Sequence, residues 1–354
     1  MTAEGAVFDP GWLQATRRAA LPAIARWGIA VLGALVAFSV VILSTGANPL
    51  TVFADMWVST FLRPRSIVEI LITMGPIALA ALAVVVPARA GMSNVGGEGQ
   101  VIIGAVAAGG VALATDQILP PSVVMPLMLV AGVAGGAAWA GVAALLRLVF
   151  QVNEAVSTLL LNFVALDLLL FLIYQPWRES SSGQPTSREL ADGAKLPELA
   201  GTGVTIGILI AVGAAIVVAV VLRRTRWGFQ LSVVGGNPEA ARRAGLRVPA
   251  LILSALLVGG GLAGVAGMIQ FAGIEYSLRP GFAAQIGYTG FLASWLVGHR
   301  PLPVLIASFL FAALAVAGDS LQLDAALPAA TVNILTAFLL IAVLGFTQRK
   351  GARL

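Results

Sequence analysis

Repeated apolar runs constrain this chain more than any other feature. A helix needs about 20 mostly apolar residues to cross the hydrocarbon layer of a bilayer, and the chain contains many runs near that length. Only 10% of its 354 residues are charged, against about 25% in an ordinary soluble domain. The short alternating segments of an outer-membrane barrel are not seen. We therefore predict an all-α, polytopic transmembrane protein.

Hydropathy over a window of about 19 residues predicts ten spans within a single transmembrane domain at 28–346. A cytoplasmic segment, 1–27, precedes this domain, and a cytoplasmic tail, 347–354, follows it. The predicted spans are Gly28–Leu43, Ile67–Val86, Gln100–Ala114, Val123–Leu146, Val156–Tyr174, Val204–Leu222, Leu251–Phe271, Gln285–Val297, Leu302–Ala317 and Ala329–Phe346.

The distribution of basic residues predicts the orientation in the membrane. Ten spans place most of the Lys and Arg clusters, including Arg223–Arg247, on one side, which the positive-inside rule identifies as the cytoplasm. The chain is then a multi-pass protein of the inner membrane with both termini in the cytoplasm. The same bias explains the net charge of +5 without a nucleic-acid partner. The arginines on the opposite side are Arg63, Arg65, Arg178 and Arg188.

Two predicted spans are short for the bilayer, Gln100–Ala114 and Gln285–Val297. Each follows a polar stretch that contains glycine, and each lies third in its half of the chain. Short or interrupted segments at corresponding positions are typical of transporters built from two repeated halves, because broken helices there expose their ends to a solute. We therefore predict a five-plus-five repeat with short broken helices.

The stretch "RAGMSNVGGEGQ" precedes the first short span and supplies Asn94, Glu98 and Gln100. Irregular backbone at membrane depth is tolerated only where it is buried in protein or lines a cavity. One interpretation is a broken-helix element along a solute pathway, where intramembrane polar residues usually lie. The alternative is a solvated cytoplasmic loop.

Further polar and aromatic candidates lie inside the spans. In "VNEAVSTLLLNF", Glu154, Thr158 and Asn162 recur every four residues and share one helix face, which could bond to a neighbouring helix or line the pathway. The amide of Asn162 both donates and accepts, which suits a nucleobase edge or a sugar hydroxyl. Phe291 and Trp295 could stack on a base, although packing is the commoner role of such residues.

The stretch "VVGGNPEAARRAGLRV" predicts a short basic cytoplasmic helix at about 237–246. Asn237 suits the N-cap, Pro238 the first helical position, and Glu239 the positive end of the helix dipole, while Gly245 ends the helix. The segment is either a plain amphipathic surface helix or a docking element for a cytoplasmic protein.

The chain lacks the residues of several other functions. It has no "GxxxxGKS" phosphate-binding loop, so energy for transport comes from a partner or from an ion gradient, and a gradient-driven secondary transporter of a small polar solute is the alternative function. It has no Cys and a single His, His299, which disfavours an intramembrane enzyme. We expect no cofactor to be bound by this chain.

Four segments together resemble the permease subunits of ABC importers for simple sugars and nucleosides, a superfamily that includes branched-chain amino acid and ribose permeases. They are "MSNVGGEGQVIIGA", "VNEAVSTLLLNFVAL", "GGNPEAARRAGLRV" and "GYTGFLASWLVGHRPLPVLIASFLFAAL". The resemblance is greatest to the nucleoside branch, from which the chain departs at Ser93 and Val95.

The resemblance implies a function and a set of partners. The function is ATP-driven import of nucleosides or a related simple sugar by a dimer of two permease subunits, which are identical or different. ATP and magnesium bind to separate ATP-binding subunits, and an extracytoplasmic lipoprotein delivers the solute. The residues implied to dock the ATP-binding subunits are Asn237, Glu239, Ala240, Arg242 and Arg243.

Overall fold

The computed structural model describes residues 23–179 and 183–324, together with 331, 333–338 and 341. The described residues form helices and connecting loops, with a single antiparallel bridge between Glu198 and Thr205. The helices are α1 (Ala23–Ser44), α2 (Pro49–Trp57), α3 (Pro64–Arg89), α4 (Gly97–Thr115), α5 (Pro121–Phe150), α6 (Glu154–Tyr174), α7 (Gly207–Arg224), α8 (Arg226–Gly236), α9 (Pro238–Arg243), α10 (Val248–Gln270), α11 (Ile286–Leu296) and α12 (Pro303–Asp324).

The all-α, polytopic fold class is confirmed. Within the described ranges, seven helices are long and apolar enough to cross a membrane, or eight if the helices at Val31–Ser44 and Pro49–Leu62 together form one broken span. The predicted tenth span, Ala329–Phe346, lies largely outside the described residues, as do the predicted tail 347–354 and most of the segment 1–27. The count of ten therefore stays a prediction.

The connection between the first and second predicted spans contains α2 and a π-helical segment, Val58–Leu62. One local prediction from hydropathy is wrong. The third span was expected to be short, yet α4 has 19 residues, because Gly97, Glu98 and Gly99 already belong to its first turn. The irregular backbone lies entirely before α4.

The described chain divides into two compact units. One unit comprises the residues up to Thr51 together with those from Asn333 onward, and the other comprises Val52–Val332. Every candidate residue discussed below belongs to the second unit.

The centre of the second unit is formed by α4, α5 and α10, which pack against one another, while α3 packs on α10 and α11. Close approach depends on glycine at the α5–α10 crossing. A methyl group at Gly264 would overlap the carbonyl oxygen of Gly132, and one at Gly136 would overlap that of Gly260. Small residues let helix backbones meet in this way inside membranes, where lipid is as apolar as the protein.

An ion pair explains one arginine that departs from the charge bias. Asp116, which follows α4, has a fully buried side chain and accepts hydrogen bonds from Arg188 at 2.7 and 3.3 Å. Burial would raise the pKa of Asp116, but the guanidinium and the Ala191 N–H outweigh it and hold the pKa below its usual value. Arg188 therefore fixes the long loop after α6 to the end of α4.

Candidate functional site

The polar stretch before α4 folds back into the protein rather than lying in solvent. Pro87 has no N–H, so the carbonyl of Ala83, one turn earlier in α3, lacks its helical partner. The amide of Asn94 donates to that carbonyl at 3.1 Å. Ala83 lies about 9 Å before the end of α3, so the loop re-enters the helical layer. The solvated-loop interpretation is wrong.

Asn94 and Gln100 bind each other. Each amide donates to the other at 2.9 Å, and the oxygen of Asn94 also accepts from the N–H of Gly96 at 3.2 Å. Both side chains are buried. With these bonds, Asn94 uses both of its donors and accepts twice. The pair therefore shapes the loop.

Glu98 caps α11 from across the protein. Its carboxylate accepts from the N–H groups of Gln285 at 2.6 Å, Gly287 at 2.7 Å and Tyr288 at 3.4 Å. These are the cap and first-turn positions of α11, whose own cap residue offers no side-chain bond. The first N–H groups of a helix have no partner within it, and the helix dipole favours an anion there. One buried carboxylate thus satisfies the start of a helix 187 residues away in sequence.

Asn162 caps the start of α4 in the same way. The cap residue of α4 is Gly96, which has no side chain, and the oxygen of Asn162 accepts from the N–H of Gly99 at 2.8 Å instead. The Asn162 amide donates to the carbonyl of Val95 at 3.1 Å and to the hydroxyl of Tyr288 at 3.2 Å. Asn162 therefore connects the start of α4 to the first turn of α11.

The predicted polar face of α6 bonds to the same loop. Thr158 accepts from the N–H of Val95 at 3.2 Å, and Glu154 accepts from that of Ser93 at 3.2 Å while pairing with Arg147. Together with Asn162, these residues occupy three successive turns of α6. The interpretation of this face as a contact to a neighbouring element is confirmed.

The two helix starts touch directly at glycine. A methyl group at Gly287 would overlap the backbone of Gly97 and Glu98. The two segments that the sequence marked as corresponding are thus in contact, each capped by a side chain from another helix. We refer to Asn94, Glu98, Gln100, Asn162 and Tyr288 with their bonded backbone as the junction.

The short eighth span is confirmed. The 11 residues of α11 rise about 16 Å, roughly half of the hydrocarbon thickness. Gly290 of α11 packs on Ala80 of α3, further along α3 from its end than Ala83. Together with the packing of Gly287 on Gly97, this contact places the first two turns of α11 among the other helices, as expected of a broken helix.

Phe291 and Trp295 form a row along α11 instead of joining the junction. Their ring centroids lie 6.0 Å apart, and the Trp295 ring meets that of His299 edge-on at 4.9 Å. His299 lies in the turn after α11, where Ser294 Oγ is 2.9 Å from its Nδ1. Burial lowers the pKa of this imidazole, which favours its neutral form.

The predicted cytoplasmic helix is present as α9. Asn237 accepts from the N–H groups of Glu239 and Ala240, both at 3.0 Å, and Gly245 has φ +80° just after the helix. Glu239 pairs with Arg242 and Arg243 on an exposed surface. The predicted capping is confirmed, although the helix is shorter than 237–246.

Sequence reasoning missed two residues near the junction. Tyr288 bonds to Asn162 but lies in a motif noted only for its resemblance. Glu275, at the end of the π-helical segment Phe271–Glu275, accepts from the N–H of Ala283 just before α11. A lone carboxylate between two apolar spans was the available signal for Glu275.

These features describe a polytopic helical protein with a buried polar junction between the starts of α4 and α11. The chain belongs to the family described as branched-chain amino acid transport system / permease component, whose model matches residues 66–344. It is a permease component of an ABC-type transport system and not an enzyme.

Individual relatives differ in the solute that their names state. The chain is 35% identical to the glucose ABC transporter permease protein TsgB13 of Haloferax volcanii, over 93% of this chain and 90% of that protein. It is 28% identical to the nucleoside ABC transporter permease protein NupB of Lactococcus lactis, over 91% and 89%. It is 26% identical to the guanosine ABC transporter permease protein NupP of Bacillus subtilis, over 92% and 96%.

Replacing the capping carboxylate tests the junction. Glu98→Ala leaves three N–H groups at the start of α11 without their acceptor, and each such buried group costs about 1–3 kcal/mol. We expect a clear fall in the unfolding temperature of the purified protein in detergent. The exposed Glu69→Ala in α3 is the control and should unfold like the wild type. Equal unfolding temperatures for all three proteins would contradict the capping role.

Proposed function

We propose that this chain is the transmembrane permease of an ATP-driven importer for nucleosides or a related simple sugar, and that the solute passes the junction of α4 and α11. The observation that carries the proposal is the contact between two capped helix starts inside the helical layer. Helices broken at such a depth place polar backbone and side chains where a solute crosses. Membership of an ABC permease family favours ATP over an ion gradient as the energy source.

Roles within the junction follow from which polar atoms are already used. Asn94 and Gln100 bond to each other, and Glu98 bonds to backbone, so we assign them to holding the pathway wall. Both N–H groups of Asn162 already donate to partners. Its oxygen accepts from the N–H of Gly99, and an amide oxygen can accept a second hydrogen bond. Tyr288 accepts from Asn162 and is only partly buried, so its hydroxyl proton is assigned to the solute.

The choice of solute rests on relatives and on aromatic side chains. Relatives named for guanosine, nucleoside and glucose transport share most of their length with this chain. Nucleosides and sugars both present hydroxyl groups for Tyr288. Phe291 and the partly exposed Trp295 offer ring faces to a base or to the apolar face of a sugar.

The partners follow from the proposed class. ATP-binding subunits, carrying ATP and magnesium, dock on α9 through Asn237, Glu239, Ala240, Arg242 and Arg243. An extracytoplasmic lipoprotein delivers the solute, and a second permease subunit, identical or different, completes the membrane part. This arrangement places α9 and both termini in the cytoplasm, in agreement with the basic residues around α9.

Solute uptake tests the pathway. In proteoliposomes that contain the assembled transporter, we expect ATP-dependent uptake of labelled guanosine or labelled glucose. An excess of the same solute without label should reduce this uptake by competition. Tyr288→Phe removes one hydroxyl but keeps the ring, so uptake should fall about tenfold, as one hydrogen bond allows. The partly exposed Tyr174→Phe in α6 is the matched control. Wild-type uptake in Tyr288→Phe, or no uptake of either solute class by an intact complex, would refute the proposal.

Charge reversal tests docking on α9. Glu239→Arg replaces two ion pairs by repulsion with Arg242 and Arg243 and places a cation at the positive end of the helix. We expect co-purification of the ATP-binding subunits to fall several-fold while membrane insertion is unchanged. Glu198→Arg, an exposed change in the loop after α6, should leave assembly intact. Undiminished co-purification and uptake in Glu239→Arg would exclude α9 as the docking element.

A further inference from the structure

The segment that leads into α11 has an unfavourable backbone. We call Tyr276–Gln285 the strap, because it runs from the end of α10 and its π-helical extension to the junction. Tyr276, Ala283 and Gln285 have φ of 58°, 53° and 69°, the left-handed region that residues other than glycine rarely adopt. Such conformations persist only where surrounding contacts enforce them, and they concentrate at functional sites.

The first part of the strap is held by the long loop after α6. Leu278 exchanges two hydrogen bonds with Ser187, each 2.9 Å long, and the carbonyl of Tyr276 accepts from the N–H of Leu190 at 2.8 Å. Lys195 lies 4.8 Å from the centre of the Tyr276 ring. This end of the strap is therefore fixed to a loop that Arg188 ties to the end of α4.

Carboxylates hold the second part. The side chain of Glu275 is 8% exposed, and its Oε1 accepts from the N–H of Ala283 at 3.0 Å and from the amide of Gln270 at 2.9 Å. Its other oxygen pairs with Arg279 of the strap at 2.9 Å. Glu98 then accepts from the N–H of Gln285. Two of the three left-handed residues thus donate their N–H to a buried carboxylate.

We propose that Glu275 is a positioning residue for transport: together with Glu98, it holds the strap in its strained form and so fixes the first turn of α11 at the junction. This inference rests on the proposed function, because it assumes that solute passes the junction. Glu98 holds the strap at its inner end, and Glu275 holds it two residues earlier. Without Glu275, the N–H of Ala283 loses its acceptor, while the carbonyl of Ala283 still accepts from the N–H of Ile286 at 3.1 Å.

A single introduced cysteine reports the state of the strap, since the chain contains no Cys. Ala284→Cys places a thiol at an exposed strap position for labelling with a membrane-impermeant maleimide. In the assembled transporter we expect Glu275→Ala to change the labelling rate about tenfold, as expected for loss of a hydrogen bond to a charged group. Solute uptake should fall by a similar factor while complex yield is unchanged.

Two further variants separate positioning from a general loss of structure. Glu275→Gln keeps an amide oxygen that can accept from Ala283, so it should recover much of the wild-type labelling rate and uptake. Glu189→Ala removes an exposed carboxylate that pairs with Lys195 near the other end of the strap, and it should leave labelling at Ala284→Cys and uptake unchanged.

The outcomes separate this inference from the proposed function. Wild-type labelling in Glu275→Ala would overturn the inference whatever the uptake, and so would altered labelling with wild-type uptake. Equal effects of Glu275→Gln and Glu275→Ala would also overturn it, because the acceptor at Ala283 would then be irrelevant. Failure of the wild-type complex to take up any nucleoside or sugar would instead overturn the proposed function.

Discussion

The structure depends on how the N–H groups at two helix starts are satisfied in the buried interior of the protein. Each buried N–H group left unpaired costs about 1–3 kcal/mol. Three such groups together cost about as much as the whole stability of many proteins, about 5–15 kcal/mol. Glu98 supplies the acceptor for α11, and Asn162 supplies it for α4. A helix that begins at depth is possible here only because another helix caps it.

Close packing at glycine makes this mutual capping possible. Contact between Gly287 and the backbone at Gly97 brings the two starts near enough for one carboxylate to reach three N–H groups. A similar contact lies at the other end of the loop, where Gly235 of α8 packs on Arg89 and Gly91. Since α9 directly follows α8, the proposed docking helix is connected to the junction through α8 and the loop before α4.

Much of the fold and part of the site could be predicted from the sequence. Apolar runs of about 20 residues specify the helical class because the backbone must pair its own polar groups in lipid, and runs of this length suit helices rather than the short strands of a barrel. Asn237, Pro238 and Gly245 predicted α9 because capping is local. The spacing of Glu154, Thr158 and Asn162 predicted a polar face because helix periodicity is local as well. These are properties of neighbouring residues.

Contacts between distant segments could not be predicted from the sequence. No local pattern links Glu98 to Gly287, Asp116 to Arg188, or Asn94 to the carbonyl that Pro87 leaves free. The start of α4 was misplaced for a related reason: Gly97 and Gly99 discourage a helix locally, and the bond from Gly99 to Asn162 compensates. Tertiary contacts decided each of these features.

Hydrogen exchange at the start of α11 tests the central claim most directly. In the purified protein in lipid nanodiscs, the amides of Gln285, Gly287 and Tyr288 should exchange slowly, although no residue within α11 accepts from them. Glu98→Ala should speed their exchange at least about tenfold, the ratio that corresponds to 1.4 kcal/mol, while the amides of α12 keep their wild-type rates. Fast exchange in the wild type, or equal rates in both proteins, would contradict the capping of α11 by Glu98.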